Sequence, residues 1–596
     1  MRCSVDVSPA KGLSPAGWLL NRSCSIAFAG WCGLQSFAVA QPPPDPIRLE
    51  LVQPTPVPFL HTTGSTGQRY VVEPMTAGLA LFDYDGDGLI DVYLLNGAML
   101  PKTPQHGPVW LDKLLTNQDA TQAAGPPRSN RLYRNLGNWQ FEDVTEATGV
   151  GDPGYGLGVV AGDLNNDGQP DLYVSNFGPN VAYLNNGDGT FTEATETLGL
   201  SDGGLSGGGR FGAGVCLLDI DNDGNLDLYC ANYQEFTFDK HFQKQIGEHF
   251  YHPGPQDFPP AHDLLFRNLG DGRFQDISQA AGINEKAAPG MGVIAADFNA
   301  DGAVDIFVAN DSVSNFLFIN DGSGQFSEEA LISGVAFDRL GRSNGNMGVD
   351  CGDFDNDGLL DLFTTTYQDE MPVLYRQLAD GFFDDATHRV RIAPALLPHV
   401  NWGTGFIDLD NDGHKDLYVA CGHFMDNIQY LDDRTAVKVS DFVLRNNGLG
   451  AFVNATQASG VAGFPLESSR GAAFDDLDND GRVDVVVLNS DARPSFIRNQ
   501  STLQNWVACE LIGTASNRTA AGAVLQLTCG GVTQTAAVHA GRGYQSHYGT
   551  RVHFGLGDRS TFQLTIRWPS GLVQDFESQE VNRLLRVIEG DPRLYP

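Results

Sequence analysis

The chain alternates short apolar runs with polar, glycine-rich loops. Runs such as Val92-Tyr93-Leu94-Leu95 and Leu172-Tyr173-Val174 are dominated by β-branched and aromatic residues, which predicts strands. Each such run follows a nine-residue pattern, Asp-x-Asp/Asn-x-Asp-Gly-x-x-Asp. The pattern occurs seven times, beginning at Asp83, Asp163, Asp219, Asp297, Asp353, Asp408 and Asp476. The intervals are 80, 56, 78, 56, 55 and 68 residues, so the unit is near the shortest value and the longer gaps hold insertions. A glycine stands five residues before every first Asp: Gly78, Gly158, Gly214, Gly292, Gly348, Gly403 and Gly471. Later in each unit comes an apolar pair, usually followed by x-Asn, as in Leu132-Tyr133-Arg134-Asn135 and Phe496-Ile497-Arg498-Asn499. A turn such as Asn186-Gly187-Asp188-Gly189 then leads into a strand headed by Phe141, Phe191, Phe274, Phe326 or Phe452.

Each unit reads as four antiparallel strands, the first two joined by the acidic loop. Seven repeats predict an all-β fold, a seven-bladed β-propeller with Ca-binding loops. The seventh unit lacks its fourth strand, and the β-like stretch 49–59 is expected to supply it and close the ring, removing exposed edges. The predicted organisation is a signal peptide over 1–40, the propeller over 41–502 and a small β-sandwich-like domain over 503–596. In that tail, Val524-Leu525-Gln526-Leu527, Phe562-Gln563-Leu564-Thr565-Ile566 and Leu584-Leu585-Arg586-Val587 read as strands.

Charge sharpens the picture. The 596 residues hold 37 Lys+Arg against 73 Asp+Glu, a formal net charge of −36. A nucleic-acid binder needs a basic stripe, so that class is excluded, and docking on anionic lipid is disfavoured. The acid is concentrated in the seven loops. Three side-chain oxygens at alternate positions, a turn glycine and a fourth Asp make a cage for a hard cation, and flexible oxygen ligands select Ca²⁺. The predicted ligands, with a backbone carbonyl at position seven, are Asp83, Asp85, Asp87, Leu89 and Asp91 in the first loop; Asp163, Asn165, Asp167, Gln169 and Asp171 in the second; and Asp219, Asp221, Asp223, Asn225 and Asp227 in the third. The fourth has Asp297, Asn299, Asp301, Ala303 and Asp305; the fifth Asp353, Asp355, Asp357, Leu359 and Asp361; the sixth Asp408, Asp410, Asp412, His414 and Asp416; and the seventh Asp476, Asp478, Asp480, Arg482 and Asp484. Up to seven structural Ca²⁺ ions are expected. An EF-hand is excluded, because no position twelve is Glu and strands flank the loops.

Arg2, Lys11 and Arg22 precede an apolar stretch over 25–37, and Ala38-Val39-Ala40 fits a cleavage site. Secretion, or a periplasmic or cell-surface location, is therefore expected after cleavage near Ala40. No later window has the ~20 apolar residues of a membrane span. Six cysteines remain beyond the leader, with Cys509–Cys529 the favoured pairing among about 15 possible connectivities.

Gly, five residues, then Asp-x-Asp-x-Asp-Gly-x-x-Asp resembles the FG-GAP/VCBS repeat of integrin α-chain propellers and secreted bacterial relatives. The tail resembles the ASPIC/UnbV domain through Leu511-Ile512-Gly513-Thr514, Ser516-Asn517-Arg518, Gly541-Arg542-Gly543-Tyr544-Gln545-Ser546, Phe554-Gly555-Leu556-Gly557 and Trp568-Pro569-Ser570-Gly571. Together these parts resemble the cartilage acidic protein family over about residues 45–590. The resemblance implies a secreted, Ca²⁺-binding, adhesion-like protein.

Strand order predicts which face carries function. The acidic loops are first connections, and the insertions over about 96–130, 232–262 and 422–441 are second connections, which gather on the opposite face. His106, His241, His249, His252, His262 and His423 lie in them, and His399 lies in a fourth connection. An Asn ends the second strand in five units (Asn96, Asn176, Asn232, Asn310 and Asn489) and is read as satisfying turn backbone. Arg518, Arg542 and Tyr544 are read as rivets of tail loops. The leading functional reading is an adhesion or recognition module for a protein or glycan on the insertion-bearing face. The alternative is a lyase- or dehydratase-like propeller enzyme acting on a carbohydrate or small metabolite, with His249, Tyr251, His252, His399 and His423 as acid–base candidates.

Overall fold

The apolar runs form strands, and four from each unit pair into one antiparallel sheet. The computed structural model describes residues 47–595 except 77, 102–128, 202–209, 380, 393 and 578–579. These lie in one compact unit, Asp45–Pro596. The expected signal peptide and His106 fall outside the described residues.

Seven sheets follow one another along the chain, each of four strands. Their first strands are Leu79–Phe82, Tyr155–Gly162, Gly212–Leu218, Gly290–Ala296, Val349–Gly352, Asn401–Ile407 and Ser469–Asp475. Each first strand lies against that of the next sheet, and the seventh lies against the first, which is the ring of a β-propeller. The seventh sheet takes its fourth strand from the other end of the chain: Leu49–Leu51 pairs antiparallel with Ser495–Asn499. The remainder of 49–59 is irregular. Pro54, Pro56 and Pro58 there have no N–H to donate.

The repeated glycine has a packing cause. A Cβ on Gly158 would lie 2.1 Å from the Ala213 carbonyl oxygen, and one on Gly348 would lie 2.3 Å from that of Trp402. The inner strands approach too closely for any side chain at this point. Apolar clusters fill the spaces between sheets, as with Val92, Val159, Val485 and Phe496 in the largest.

The tail forms two further four-stranded sheets. One contains Asn505–Ile512 and Arg551–Gly557, the other Val524–Cys529 and Gln563–Arg567. Val507, Leu525, Phe554 and Trp568 are buried between them. The favoured Cys509–Cys529 disulfide is not formed: all six described cysteines are buried free thiols. Cys509 and Cys529 belong to different sheets, and the Cys529 thiol donates to the Thr561 carbonyl (3.0 Å).

Candidate metal centres and ligand face

In each acidic loop the position-one carboxylate gathers the backbone that follows. Asp83 accepts from Gly86 (2.8 Å), Asp87 (3.2 Å) and Gly88 (2.8 Å). To close this turn, position four adopts a left-handed conformation, at φ 59° in Asn166, 57° in Asn356 and 57° in Asn411. Asn and Gly tolerate that region, and one or the other stands there in every loop except at Ala300. The position-nine Asp accepts two backbone N–H groups: Asp91 Oδ2 from Tyr84 (3.0 Å) and Oδ1 from Asn135 (2.7 Å).

Five loops bring three carboxylates together, with one oxygen of each within 4.8 Å of the others. The groups are Asp83/Asp85/Asp91, Asp219/Asp221/Asp227, Asp353/Asp355/Asp357, Asp408/Asp410/Asp416 and Asp476/Asp478/Asp484. Burial pushes Asp91, Asp171 and Asp305 up to about 8, partly offset by the N–H bonds they accept. Asp353 and Asp476 rise to about 7 for the same reason. Asp355 Oδ1 and Asp478 Oδ1 are buried with no hydrogen-bond partner among the described residues. Clustered, desolvated hard oxygens fit a divalent cation, which would relieve their mutual repulsion.

One closed ring of amides and a second, interrupted set hold the loops in register, and neither was anticipated from the spacing. The Asn that ends each third strand reaches back to the preceding sheet's loop. Asn185 donates to Tyr84 O (2.8 Å), Asn268 to Leu164 O (2.9 Å), Asn320 to Ile220 O (2.8 Å), Asn446 to Phe354 O (2.8 Å) and Asn499 to Leu409 O (2.9 Å). Gln377 makes the same bond to Phe298 O, and Asn135 closes the circle on Leu477 O (2.8 Å). The position-four Asn reaches forward: Asn166 to Gly224 O (3.0 Å), Asn356 to Gly413 O (3.0 Å), Asn411 to Gly481 O (2.8 Å) and Asn479 to Gly88 O (3.0 Å). The signal was present in the repeated x-Asn, but one blade gives no hint that its amide serves another. The Asn residues ending second strands close turns, as with Asn176 Nδ2 donating to Pro179 O (2.8 Å).

The tail covers the acidic loops. Arg551 donates to Gly88 O (2.9 Å), His553 meets Asn411 Oδ1 (2.7 Å), Asp163 N–H donates to Thr519 (3.3 Å) and Arg567 reaches Asp297 (3.3 Å). A cavity of about 90 Å³ at this junction is lined in part by Lys415, Asp475, Arg551 and His553. From the tail, residues 538–549 enter the centre of the ring. Leu217 N–H donates to Ala540 O (2.8 Å), Gly543 N–H to Val349 O (2.8 Å), Val159 N–H to Gln545 O (3.2 Å) and His547 N–H to Leu79 O (2.9 Å). Arg542 binds Asp350 (2.6 Å), and Tyr544 donates to Met75 O (2.7 Å) with its ring edge-on to Trp402. Arg542 and Tyr544 thus fasten the tail to the propeller. Arg518 stays within the tail, donating to Gly513 O (3.2 Å).

On the other face the two described insertions, 232–262 and 422–441, interlock. A hairpin of Lys244–Ile246 and His249–Tyr251 is held by Asn427 donating to Phe250 O (3.0 Å), and Gln243 donates to Gln68 O (2.9 Å). Arg69 makes a two-bond ion pair with Asp426 (3.0 and 2.9 Å). Tyr70, Phe236, Phe238, Trp402 and the incoming Tyr544 form the apolar core that closes the ring centre.

The five acid–base candidates go to separate partners. His249 stacks on Tyr430 (4.1 Å between ring centres), and His252 faces Glu73 (3.6 Å). His399 meets Thr435 (3.0 Å), and Tyr251 is buried in the hairpin, opposite Lys244. His423 accepts from Met425 N–H (2.9 Å) and turns its other nitrogen to Gln368 Oε1 (3.0 Å). Burial holds His423 down to about 3, so it stays neutral. Of the other predicted histidines, His241 binds Gln68 O (2.8 Å) and His262 is exposed. None of these contacts joins two of the five candidates directly, although His252 and His423 both pack on Phe424 and the charge of His399 acts on His423.

Fold and loops define a β-propeller built of FG-GAP-like repeats. Residues 110–174, 163–230, 259–308, 297–364 and 353–419 match the FG-GAP-like repeat, and 513–594 match the ASPIC and UnbV domain. The chain thus carries FG-GAP-like repeats followed by an ASPIC and UnbV domain, and its curated relatives include Cartilage acidic protein 1 of mouse and human. It is 25% identical over 460 residues to the mouse protein, covering 73% of this chain and 65% of that one. It is 24% identical over 463 residues to the human protein, covering 73% and 63%. Among solved structures it is similar to an Agrocybe aegerita lectin described as recognising non-reducing terminal N-acetylglucosamine (18% identity, TM-score 0.36, 63% of this chain and 79% of that one). A Bacillus licheniformis rhamnogalacturonan lyase is also similar (13% identity, TM-score 0.35, 72% of each chain). Among the described residues no helix is long and apolar enough to cross a membrane.

Proposed function

We propose that this is a secreted calcium-binding recognition protein, with structural Ca²⁺ in its seven acidic loops and a protein or glycan ligand on the insertion-bearing face. The leader-like sequence at residues 1–40 supports export. The calcium reading is supported by the five three-carboxylate clusters, in two of which a buried oxygen (Asp355 Oδ1, Asp478 Oδ1) has no hydrogen-bond partner among the described residues. The choice of face is carried by one observation: the tail covers the acidic loops and fills the ring centre, which leaves the described insertions, 232–262 and 422–441, on the uncovered face. Exposed rings stand there, Tyr430 at 59% and Phe250 at 45%, and exposed aromatic surface of this kind favours ligand contact. The enzyme reading stays second, because no contact described above joins two of its candidate side chains directly.

Calcium should raise the melting temperature of the full chain over that in chelator by roughly 10 °C or more, since several sites contribute together. Identical melting in both would sink the calcium reading. Incubation with an oligosaccharide panel, scored by mass, should show retention without product. New product would restore the enzyme reading.

A further inference from the structure

Position three of the acidic loop and the residue before the strand-three amide vary together across the repeats. The pairs Asp85/Arg134, Asp221/Arg267, Asp355/Arg376, Asp410/Arg445 and Asp478/Arg498 occur in five units. Where position three is Asn165 or Asn299, the strand carries Leu184 or Ile319 instead. No unit mixes the two kinds.

The geometry explains the match. Arg134 Nε lies 2.7 Å from Asp85 Oδ2, Arg376 Nε 2.6 Å from Asp355 Oδ2 and Arg498 Nη2 2.7 Å from Asp478 Oδ2. Arg267 binds Asp221 in the same way, and the charge of Arg445 acts on Asp412 of its own loop. Arg134 also donates to Asp87 Oδ2 at position five (3.1 Å), as Arg376 does to Asp357. In the two Asn loops the amide takes over that bond: Asn165 Nδ2 donates to Asp167 Oδ2 (2.9 Å) and Asn299 Nδ2 to Asp301 Oδ2 (2.8 Å). Leu184 and Ile319 then pack against neighbouring apolar clusters. Four aspartates with one arginine, or three aspartates with none, give every loop the same formal charge of −3 over these positions. Beyond the pair the loops differ: Arg482 binds Asp480, the charge of Lys415 acts on Asp408, and Arg567 of the tail reaches Asp297 (3.3 Å).

We propose that position three and the strand-three residue form a charge-matched pair, an arginine standing there wherever position three carries a carboxylate, which tunes each loop for a divalent cation. The arginine is a positioning residue: it compensates one carboxylate and fixes the second without ligating. Partly exposed ion pairs add little to stability by themselves, whereas ligand charge tunes calcium affinity directly. The proposal rests on the calcium reading above.

The test is calcium titration of the full chain followed by hydrogen exchange and mass spectrometry, reading protection of the peptide that contains each loop. Asn165→Asp should tighten loop two about tenfold and Leu184→Arg should weaken it by a similar factor. The double variant should return to within about threefold of the unchanged chain, with the other loops unaltered. Should Leu184→Arg fail to fold, Asp221→Asn and Arg267→Leu in loop three make the converse cycle, weakening and tightening in turn and cancelling together. A double variant that keeps the full shift of either single substitution, instead of returning towards the unchanged chain, overturns the pair while leaving calcium binding intact. Absence of calcium-dependent protection in every loop of the unchanged chain overturns the calcium reading and the proposal with it.

Discussion

Asn446 donates to Phe354 O in the preceding sheet and to Lys415 O in its own (3.2 Å), and its Oδ1 accepts the Gly448 N–H (3.1 Å). All three bonds are made by one side chain that is almost fully buried. Asn446→Ala would leave two carbonyls and one N–H unanswered, each costing about 1–3 kcal/mol when buried. We expect about 3 kcal/mol of destabilisation in urea unfolding, with little change in the slope of the transition. Glu589 plays a comparable part in the tail, where its carboxylate accepts the N–H groups of Thr514, Ala515 and Ser516 (2.7, 2.7 and 2.8 Å) and the Ser516 and Ser570 hydroxyls. That clasp explains why the Gly513–Ser516 and Trp568–Gly571 motifs, far apart in sequence, occur in one chain.

At the scale of the acidic loop, several carboxylates share a partly desolvated turn. Without a cation, Asp91, Asp171 and Asp305 titrate near 8 when folded and near 4 when unfolded. The folded chain therefore binds protons that the unfolded chain has lost, and stability falls as pH rises through this window. The buried histidines act in the opposite sense. His423, His539 and His553 are held down to about 3 by burial, so their contribution grows with pH, but only up to about 6.5. Between pH 6.5 and 8 the aspartate effect outweighs that of these histidines. In chelator the melting temperature should fall across that interval, and saturating calcium should flatten the slope by favouring the carboxylate form. A rising melting temperature in chelator would contradict this assignment.

For the whole molecule, residues 538–549 join tail and propeller into one structure. Strands of the first, second, third and fifth sheets bond to this segment, and Tyr544 completes the core under the insertions. Tyr544→Ala should cost about 3–5 kcal/mol through the cavity it leaves, and Tyr544→Phe about 1 kcal/mol through the lost bond to Met75 O. Because the segment bonds to both parts, we expect tryptophan fluorescence and far-ultraviolet circular dichroism to report one coincident thermal transition in the unchanged chain. In Tyr544→Ala the two probes should separate.

The repeat pattern alone determined the strand order, the position of the acidic loops and the recurrence of one glycine, whose close packing only the structure explained. These are local properties, set by period-two strands, by turn chemistry and by the oxygen ligands a hard cation requires, and each recurs seven times in the sequence. The histidines of the insertions were legible as residues but not as a site, because their loops have no repeat to fix their geometry. Only the tertiary structure showed that they face different partners, that the strand-three Asn serves the neighbouring sheet, and that Tyr544 of the tail lies beneath the opposite face. Such contacts join positions as far apart as Met75 and Tyr544, and no local pattern encodes them. They follow from closing the ring, which leaves a central space that some part of the chain must fill.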